Sequence, residues 1–460
     1  MFDGPIFPVT LHIGLPILIG NCVAFLYTIV DTIYISLIDR GSTELLSGTG
    51  IVVPLYFLFF SLGSGIAVGV GALVARGTGR GDGVFVRSVA GSGLLLAASV
   101  SVVGLFAGFL FIDDIIRLLA GRRMGAQAIA YGAAYFRFSL PGLATLLLGQ
   151  AYLGVLQGEG KTTPVAVATG ISTFVNIALA PVLIFTFHLG VGGAGLATSI
   201  SIGIAAIYVV IFFMRGRASV PLFPGLSGVR ADRVGEIVRA GIPQTFGLLA
   251  MSFAALLLNK IVGGIGQTEM NAWSLVARID QMVSVPLLAV AAATITLVGQ
   301  NHGKGNVARI RKVNDVNISV AIGVMVVLAA GYSASCPLIV GALSSSAEVV
   351  RWSTTQVRVV SFTFVGSAAA AVAAATVLAV GKPAQALMLA AVRAGLLSLP
   401  IAWFLAVVLH WGMPGVFAAV ALGNLAGLPF GWIWSRKIVG RMALRRPSFY
   451  RPYTGSSPTQ

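Results

Sequence analysis

The chain has 460 residues, of which 57% are hydrophobic and only 10% are charged. Globular proteins carry about 25% charged residues, so a soluble protein of this length would have too few charges to cover its surface. The composition excludes a set of soluble domains. It predicts an all-α polytopic membrane protein, because helices satisfy their own backbone hydrogen bonds in lipid.

The net charge of +16 points to an anionic partner, either nucleic acid or membrane lipid. Nucleic-acid-binding domains cluster Lys and Arg on a folded surface, with aromatic residues between them. In this chain the basic residues occupy short gaps between apolar runs. This arrangement favours membrane lipid as the partner and argues against nucleic acid.

Runs without Asp, Glu, Lys or Arg mark the predicted membrane spans, because about 20 apolar residues are needed to cross a bilayer. The runs 162–214 and 394–435 are long enough for two spans each, and the breakers 188–193 and 410–415 divide them. In chain order the predicted spans are 9–36, 45–75, 88–112, 126–153, the pair in 162–214, 240–259, 281–303, 316–347, 359–381 and the pair in 394–435. The sequence thus predicts twelve transmembrane helices.

An even number of spans places both termini on the same side of the membrane. Most of the 30 basic residues lie in the loops and tail of that side. The opposite side carries Arg40, Arg117, Arg122, Arg123 and Arg351. Because cytoplasmic loops carry the excess of Lys and Arg, both termini are predicted to be cytoplasmic.

The sequence contains one internal repeat. The loop 73–82 after the second span is similar to the loop 297–306 after the eighth, and 190–194 is similar to 412–416. Two repeats of the same orientation are typical of secondary transporters. The predicted organisation is an N-terminal six-helix half over 1–213, a cytoplasmic linker over 214–235, a C-terminal six-helix half over 236–436 and a basic cytoplasmic tail over 437–460.

Asp31 is an acid that lies inside a predicted membrane span. It follows Pro16 by about four helical turns in the first predicted helix. Burial disfavours the charged form of a carboxylate, so Asp31 is a candidate for binding and releasing a proton. It could instead hold a cation with neighbouring oxygens, lie at the outer interface, or form a structural ion pair. Ionisable residues inside a bilayer are costly and usually functional, which favours the first two interpretations.

Polar residues in other predicted spans of the N-terminal half are candidates to surround Asp31. They are Tyr135, Asn176 and Thr198, in the fourth, fifth and sixth spans. Such residues also serve as hydrogen-bonding contacts between helices. Pro16 is a candidate hinge, because a proline inside a helix permits bending.

Several further segments occur in order over about residues 10–440. The first is the spacing of Pro16 to Asp31 within VDT, and the others are ALVARGTGRGD, LQGEGKTTP, FVNI with GVGGAGLATSIS, GIPQTFG and LVGQNHGKGN. Together, these segments resemble the multidrug and toxic compound extrusion (MATE) family. Because no acid lies in 240–259, the chain is more similar to the DNA-damage-inducible-F-like bacterial branch than to the sodium-coupled NorM branch. The resemblance implies two six-helix bundles around a V-shaped cavity in a bacterial inner membrane. It also implies export of amphipathic, often cationic, compounds by cation-coupled antiport. The chain is expected to be a monomer.

The resemblance also assigns roles by position. Asp31 matches the family's coupling carboxylate, and Pro16 matches its bending proline. The polar residues that surround the family's carboxylate are matched by Tyr135, Asn176 and Thr198. The branch commonly has an Asp one turn after Asn176, where this chain has Ala180. A site with one carboxylate is a poor cage for a hard cation, so the predicted coupling ion is a proton rather than sodium. No resident metal or cofactor is expected.

Two further charges are candidate cavity residues. Arg137 lies two residues from Tyr135, about 200° around the helix, so it either lines the cavity elsewhere, pairs with an acid or reaches the interface. Asp280 is expected near the start of the eighth span, as a second cavity acid or as a charge at the helix start. An alternative function is a flippase for lipid-linked oligosaccharide or peptidoglycan precursor, whose pyrophosphate would need cations such as Arg137, Arg278 and Arg393 in one cavity. The four histidines are scattered and no catalytic set is present, so an enzyme is not predicted.

Overall fold

The computed structural model describes residues 2–38, 43–120, 124–221, 229–391 and 397–444, which form helices and connections without any β-strand. The α-helices are α1 (Ile6–Ile38), α2 (Thr43–Arg80), α3 (Gly83–Leu110), α4 (Ile112–Leu119), α5 (Ala126–Glu159), α6 (Thr163–Pro181), α7 (Gly190–Met214), α8 (Ala231–Ile265), α9 (Gln267–Gly303), α10 (Val307–Leu343), α11 (Ala347–Val360), α12 (Phe364–Ala379), α13 (Pro383–Ala391), α14 (Ser398–Trp403) and α15 (Met413–Leu444). Short π-helices, Val182–Thr186 and Phe404–Val408, continue α6 and α14.

Eleven helical segments within these ranges are long and apolar enough to cross a bilayer, and one of them, Ala347–Ala379, consists of α11 and α12 joined by the short 3-10 helix Ser361–Thr363. They coincide with the predicted spans except in the first part of 394–435. There the structure has α13 and the apolar helix Ser398–Val408, and residues 392–396 between them lie outside the described ranges. The predicted fold class, an all-α polytopic membrane protein, is confirmed. Of the basic residues used above, Arg40, Arg122, Arg123 and Arg393 also lie outside the described ranges.

Several helices extend beyond the apolar runs that predicted them. The α8 helix begins at Ala231, inside the predicted linker 214–235, and α15 continues to Leu444, inside the predicted tail 437–460. Charged residues do not end these helices because their side chains are paired or exposed. In the first turns of α8, for example, Arg233 Nη1 donates to Glu236 Oε1 at 2.7 Å.

The repeated sequence loops fold into the same turn and helix cap. Gly81 and Gly305 both have positive φ, 72° and 77°, a conformation that glycine adopts without strain. The next residue caps the following helix in each case. Asp82 accepts from the Phe85 amide at 2.9 Å, and Asn306 accepts from the Arg309 amide at 3.0 Å. Capping satisfies amides that a helix start leaves without partners.

The face of the molecule on which α1 begins and α15 ends is called the terminal face here. Near this face the first helix of each half packs against the other half. In α1, Thr10 Oγ1 donates to Asn317 Oδ1 of α10 at 2.7 Å. In α8, Thr245 Oγ1 donates to the Ser61 carbonyl of α2 at 3.1 Å, and Gly241 packs on the Gly65 backbone. The two halves therefore exchange the beginnings of their first helices.

Further contacts join α9 to the N-terminal half at the terminal face. Thr296 Oγ1 donates to the Gln157 carbonyl at 2.8 Å, and Gln300 Nε2 donates to the Gly158 carbonyl at 3.0 Å. A Cβ atom on Gly79 would collide with the Gln300 carbonyl oxygen. These contacts, with those of α1 and α8, form a closed seam between the halves at this face.

Candidate functional site

Asp31 lies in the part of α1 remote from the terminal face, and its side chain is buried with 8% exposure. Its neighbours Ile29 and Ile33 on the same helix are exposed, so α1 turns its carboxylate towards protein. Tyr135 of α5 donates its hydroxyl to Asp31 Oδ2 at 3.1 Å. Asp31 Oδ1 is buried and has no hydrogen-bond partner among the described residues. The site therefore holds a carboxylate with one satisfied and one unsatisfied oxygen.

A second set of hydrogen bonds joins α1, α6 and α7 beside the carboxylate. Thr198 Oγ1 of α7 donates to the Ala194 carbonyl at 3.1 Å, so it acts as acceptor in its other contacts. It accepts from Tyr27 at 3.1 Å and from Asn176 Nδ2 at 3.4 Å. Asn176 and Thr198 are buried. Tyr27 lies one turn before Asp31 on α1, and residues four apart share a helix face.

The structure thus brings four sequence-predicted residues together in one half. Asp31, Tyr135, Asn176 and Thr198 come from four different helices, α1, α5, α6 and α7. The helices approach closely at α7, where a Cβ atom on Gly195 would touch the Tyr135 carbonyl oxygen at 2.5 Å. Small residues at such positions let polar side chains on neighbouring helices reach each other.

Three tyrosines of this site were not predicted from the sequence. Tyr27 contacts Thr198, and Tyr34 donates to the Ile177 carbonyl at 3.3 Å. Tyr56 of α2 stacks on Tyr135, with ring centroids 5.7 Å apart and planes 20° apart. The position of Tyr27, four residues before Asp31, could have predicted that it lies on the same helix face as the carboxylate. The sequence around Tyr56 gives no such indication, because tyrosines are common in apolar runs.

Ala180 occupies the position at which the resembled branch commonly has a second acid. It is fully buried in an apolar cluster with Ile35, Leu183 and Ile184. Within the described ranges, no group of three or more His, Cys, Asp or Glu side chains is arranged to hold a metal ion. The surroundings of Asp31 therefore offer phenol, amide and hydroxyl groups but no second carboxylate at this position.

Pro16 lies inside α1, which is continuous from Ile6 to Ile38. The helix contacts both halves of the molecule near this proline. The Ile13 carbonyl accepts from Thr162 Oγ1 of the N-terminal half at 2.8 Å, and Gly14 faces the Ala289 backbone of the C-terminal half. Because proline lacks an amide hydrogen, one hydrogen bond of the helix is missing here. Pro16 thus lies where α1 passes between the two halves.

Arg137 lies two residues from Tyr135 but is not among the residues found to contact Asp31. Its side chain is 51% exposed, and its Nη2 lies 3.8 Å from Asp113 Oδ2 of the short helix α4. Of the three roles considered for Arg137, the structure shows pairing with an acid. Exposed pairs of this kind contribute little to stability.

Asp280 lies in the other half of the molecule. Although expected near the start of the eighth span, it is well inside α9, which begins at Gln267, because the polar residues before it are helical. It is half-buried and lies beside Tyr332 of α10. Arg278 is exposed on the same helix, and Arg393 lies outside the described residues. Among the described residues, no ion pair or hydrogen bond is found between Arg137 and Asp280, and Arg278 lies on α9 with Asp280.

Known proteins resemble the chain in both sequence and fold. The MatE family model matches residues 16–182 and 243–404. The chain is 23% identical over 318 residues to the multidrug export protein MepA of Staphylococcus aureus strain MRSA252, with 69% of each chain covered. It is 25% identical over 339 residues to MepA of Staphylococcus haemolyticus strain JCSC1435, covering 72% of this chain and 73% of that protein.

Two solved structures share the fold. One is the outward-facing conformation of a multidrug resistance MATE family transporter of the MOP superfamily, with a TM-score of 0.90 and 23% identity. The other is a MOP superfamily transporter from Pyrococcus furiosus, with a TM-score of 0.87 and 23% identity. Each comparison covers 96% of this chain and 98% of the other. At this identity the two structures establish the helical fold.

Proposed function

Because the chain belongs to the MATE family, which comprises membrane transporters and not enzymes, we propose that it is a proton-coupled antiporter exporting amphipathic, often cationic compounds. The observation that carries this proposal is the buried carboxylate of Asp31, with one oxygen bonded to Tyr135 and the other unpartnered. The relatives named multidrug export proteins support the substrate class.

The composition of the site supports a proton as the coupling ion. Sodium and similar hard cations favour sites with several oxygen ligands and negative charge. Asp31 is accompanied by hydroxyl and amide groups, and Ala180 leaves out the second carboxylate. A buried charge without full pairing is costly, and protonation removes that charge. The unpartnered oxygen of Asp31 is the atom that would carry the proton.

The bonds around α1 suggest how protonation would alter the N-terminal half. Deprotonated Asp31 accepts the Tyr135 hydroxyl, which holds α1 against α5. Protonation weakens this bond, because hydrogen bonds to a charged group are the stronger kind. The helix would then bend at Pro16 and change the cavity of this half. Substrate would leave on the side opposite the terminal face, since the halves are joined at that face.

A transport assay tests the proposal. The protein is reconstituted in liposomes, and efflux of a fluorescent organic cation is driven by an imposed proton gradient or, separately, by an imposed sodium gradient. We expect the proton gradient alone to drive efflux and Asp31→Asn to abolish it. The surface variant Asp113→Asn serves as the matched control and should transport normally. Efflux driven by sodium alone, or normal efflux by Asp31→Asn, would reject proton coupling at Asp31.

The flippase alternative gains no specific support. It needs several cations in one cavity to hold a pyrophosphate. Arg137 pairs with Asp113 in the N-terminal half, whereas Arg278 lies on α9 in the C-terminal half.

The bias of basic residues towards the terminal face supports cytoplasmic termini in the inner membrane. Labelling of engineered cysteines at this face in intact cells would test that orientation.

A further inference from the structure

A groove of about 390 Å³ runs along one side of α15 near the terminal face. Its lining is Pro429, Phe430, Ile433, Trp434 and Lys437. The large apolar side chains in it are open to the surroundings, with Phe430 52% and Ile433 55% exposed. The groove is thus almost wholly apolar and ends in a lysine at the side of the terminal face.

The helical spacing continues this pattern beyond the groove. Residues three or four apart lie on one helix face, so Phe430, Ile433, Lys437 and Arg441 form a single stripe. Both basic residues are exposed. Along the stripe, apolar side chains give way to basic ones towards the end of the membrane-spanning helix. This is the order in which a lipid presents its hydrocarbon chain and its headgroup.

The neighbouring charge on α15, that of Arg436, is already neutralised. Arg436 donates to both carboxylate oxygens of Asp315, from Nε at 3.0 Å and from Nη2 at 2.8 Å. Trp432 donates to the same carboxylate at 3.2 Å, and the guanidinium lies 4.9 Å from the centre of its ring. By contrast, no ion pair is found for Lys437 or Arg441 among the described residues. The two cations above the groove are available to an external anion.

The packing of α15 explains why the groove is left uncovered. Another side of the helix packs closely on α12, where Gly427 meets the Gly366 carbonyl and Gly431 meets the Ala370 backbone. This contact holds the helix in place and leaves the stripe uncovered. Pro429 lies at the start of the groove, where it removes one backbone amide from the helix. The groove is therefore a fixed feature of a packed helix.

We propose that this stripe of α15 binds one anionic phospholipid. The acyl chain lies in the groove along Phe430 and Ile433, and the phosphate contacts Lys437 and Arg441. An anionic headgroup matches these two cations, for which the described residues supply no ion pair, whereas a zwitterionic headgroup brings its own positive charge. Basic residues at the membrane surface each favour anionic lipid by about fivefold.

Native mass spectrometry tests the site. The purified protein is exchanged with equimolar palmitoyl-oleoyl phosphatidylglycerol and phosphatidylcholine, and the bound lipids are counted. The wild-type chain should retain one phosphatidylglycerol more than Lys437→Gln/Arg441→Gln. The control Arg87→Gln/Arg239→Gln removes two exposed basic residues from α3 and α8, outside this stripe, and should retain that lipid. Equal retention of both lipids by the wild type, or unchanged preference in the α15 variant, would overturn the proposal.

A second measurement covers the case in which the charge variant folds poorly. Ile433→Trp keeps both cations but fills the groove, and it should lose the same phosphatidylglycerol. In the wild type, phosphatidylglycerol with brominated chains should quench Trp434 fluorescence more than brominated phosphatidylcholine does. Trp434→Phe should remove the difference. Retained binding in Ile433→Trp, or equal quenching by the two lipids, would contradict a lipid seated in this groove.

Discussion

The Tyr135 hydroxyl donates a 3.1 Å hydrogen bond to Asp31 Oδ2 and so connects α5 to α1. The same tyrosine stacks on Tyr56 of α2. Three helices of the N-terminal half therefore meet at one phenol. Any change in the charge of Asp31 acts first on this contact, which makes it the most direct place to test the proposed coupling.

Removal of the phenol hydroxyl in Tyr135→Phe leaves both oxygens of Asp31 without a side-chain partner. A hydrogen bond to a charged group contributes about 1.5–3 kcal/mol, so we expect the initial rate of proton-driven efflux to fall about tenfold. The control is Tyr131→Phe, because the exposed Tyr131 hydroxyl bonds only to Gln127 among the contacts found. Equal rates for the two variants would show that the Tyr135 bond is not used in transport.

Ala180→Asp is expected to create a sodium response. It would add a carboxylate one turn after Asn176, at a position that is fully buried. Sodium at about ten times its dissociation constant should then raise the unfolding temperature of the variant by about 2 °C. The neutral variant Ala180→Asn is the control. Comparable sodium stabilisation of the wild-type chain would mean that one carboxylate already suffices to bind sodium.

Gly79→Ala is expected to open the seam at the terminal face. Its Cβ atom would collide with the Gln300 backbone, which cannot move without shifting α9. Overpacking of this kind costs about 1–3 kcal/mol, which corresponds to a shift of at least about fivefold towards conformations separated at this face. Spin labels at the exposed positions 84 and 308 report the separation. Gly83→Ala, where a Cβ atom meets nothing within 4 Å, should leave the distance distribution unchanged.

Arg137→Ala is expected to have little effect. The side chain is half exposed and its ion pair with Asp113 is long, so the free energy of unfolding should change by less than about 1 kcal/mol. Efflux should stay within about twofold of the wild-type rate. Asp113→Ala should give the same result. A large loss of transport in Arg137→Ala alone would indicate a role for the guanidinium that its surface pair does not explain.

The sequence predicted the helices well because the bilayer constrains them strongly. A run of apolar residues in lipid has few alternatives to a helix, so spans such as 88–112 and 316–347 matched helices in the structure. Helix ends were predicted less well. Charged residues beyond the hydrocarbon core do not interrupt a helix, and α9 therefore begins at Gln267 rather than near Asp280.

The candidate site was predictable where one residue was unusual for its surroundings. Asp31 stood out as an acid within an apolar run, and the resemblance supplied Tyr135, Asn176 and Thr198. Tyr56 could not be found in this way, because its role depends on how α2 packs on α5. The pairing of Arg137 depends in the same manner on the position of α4, which no periodic pattern in α5 encodes.

The exchange of first helices gives α1 a mechanical role that neither half could provide alone. One end of this continuous helix holds Asp31 within the N-terminal half, and its beginning is bonded through Thr10 to Asn317 of the C-terminal half. Thr10 and Asp31 are about 30 Å apart along the helix axis. Pro16 lies between Thr10 and Asp31, so a bend at this proline tilts the part of α1 that carries Asp31 relative to the part that is bonded at the seam. The Asp31 site and the seam at the terminal face are therefore joined by a single helix, α1.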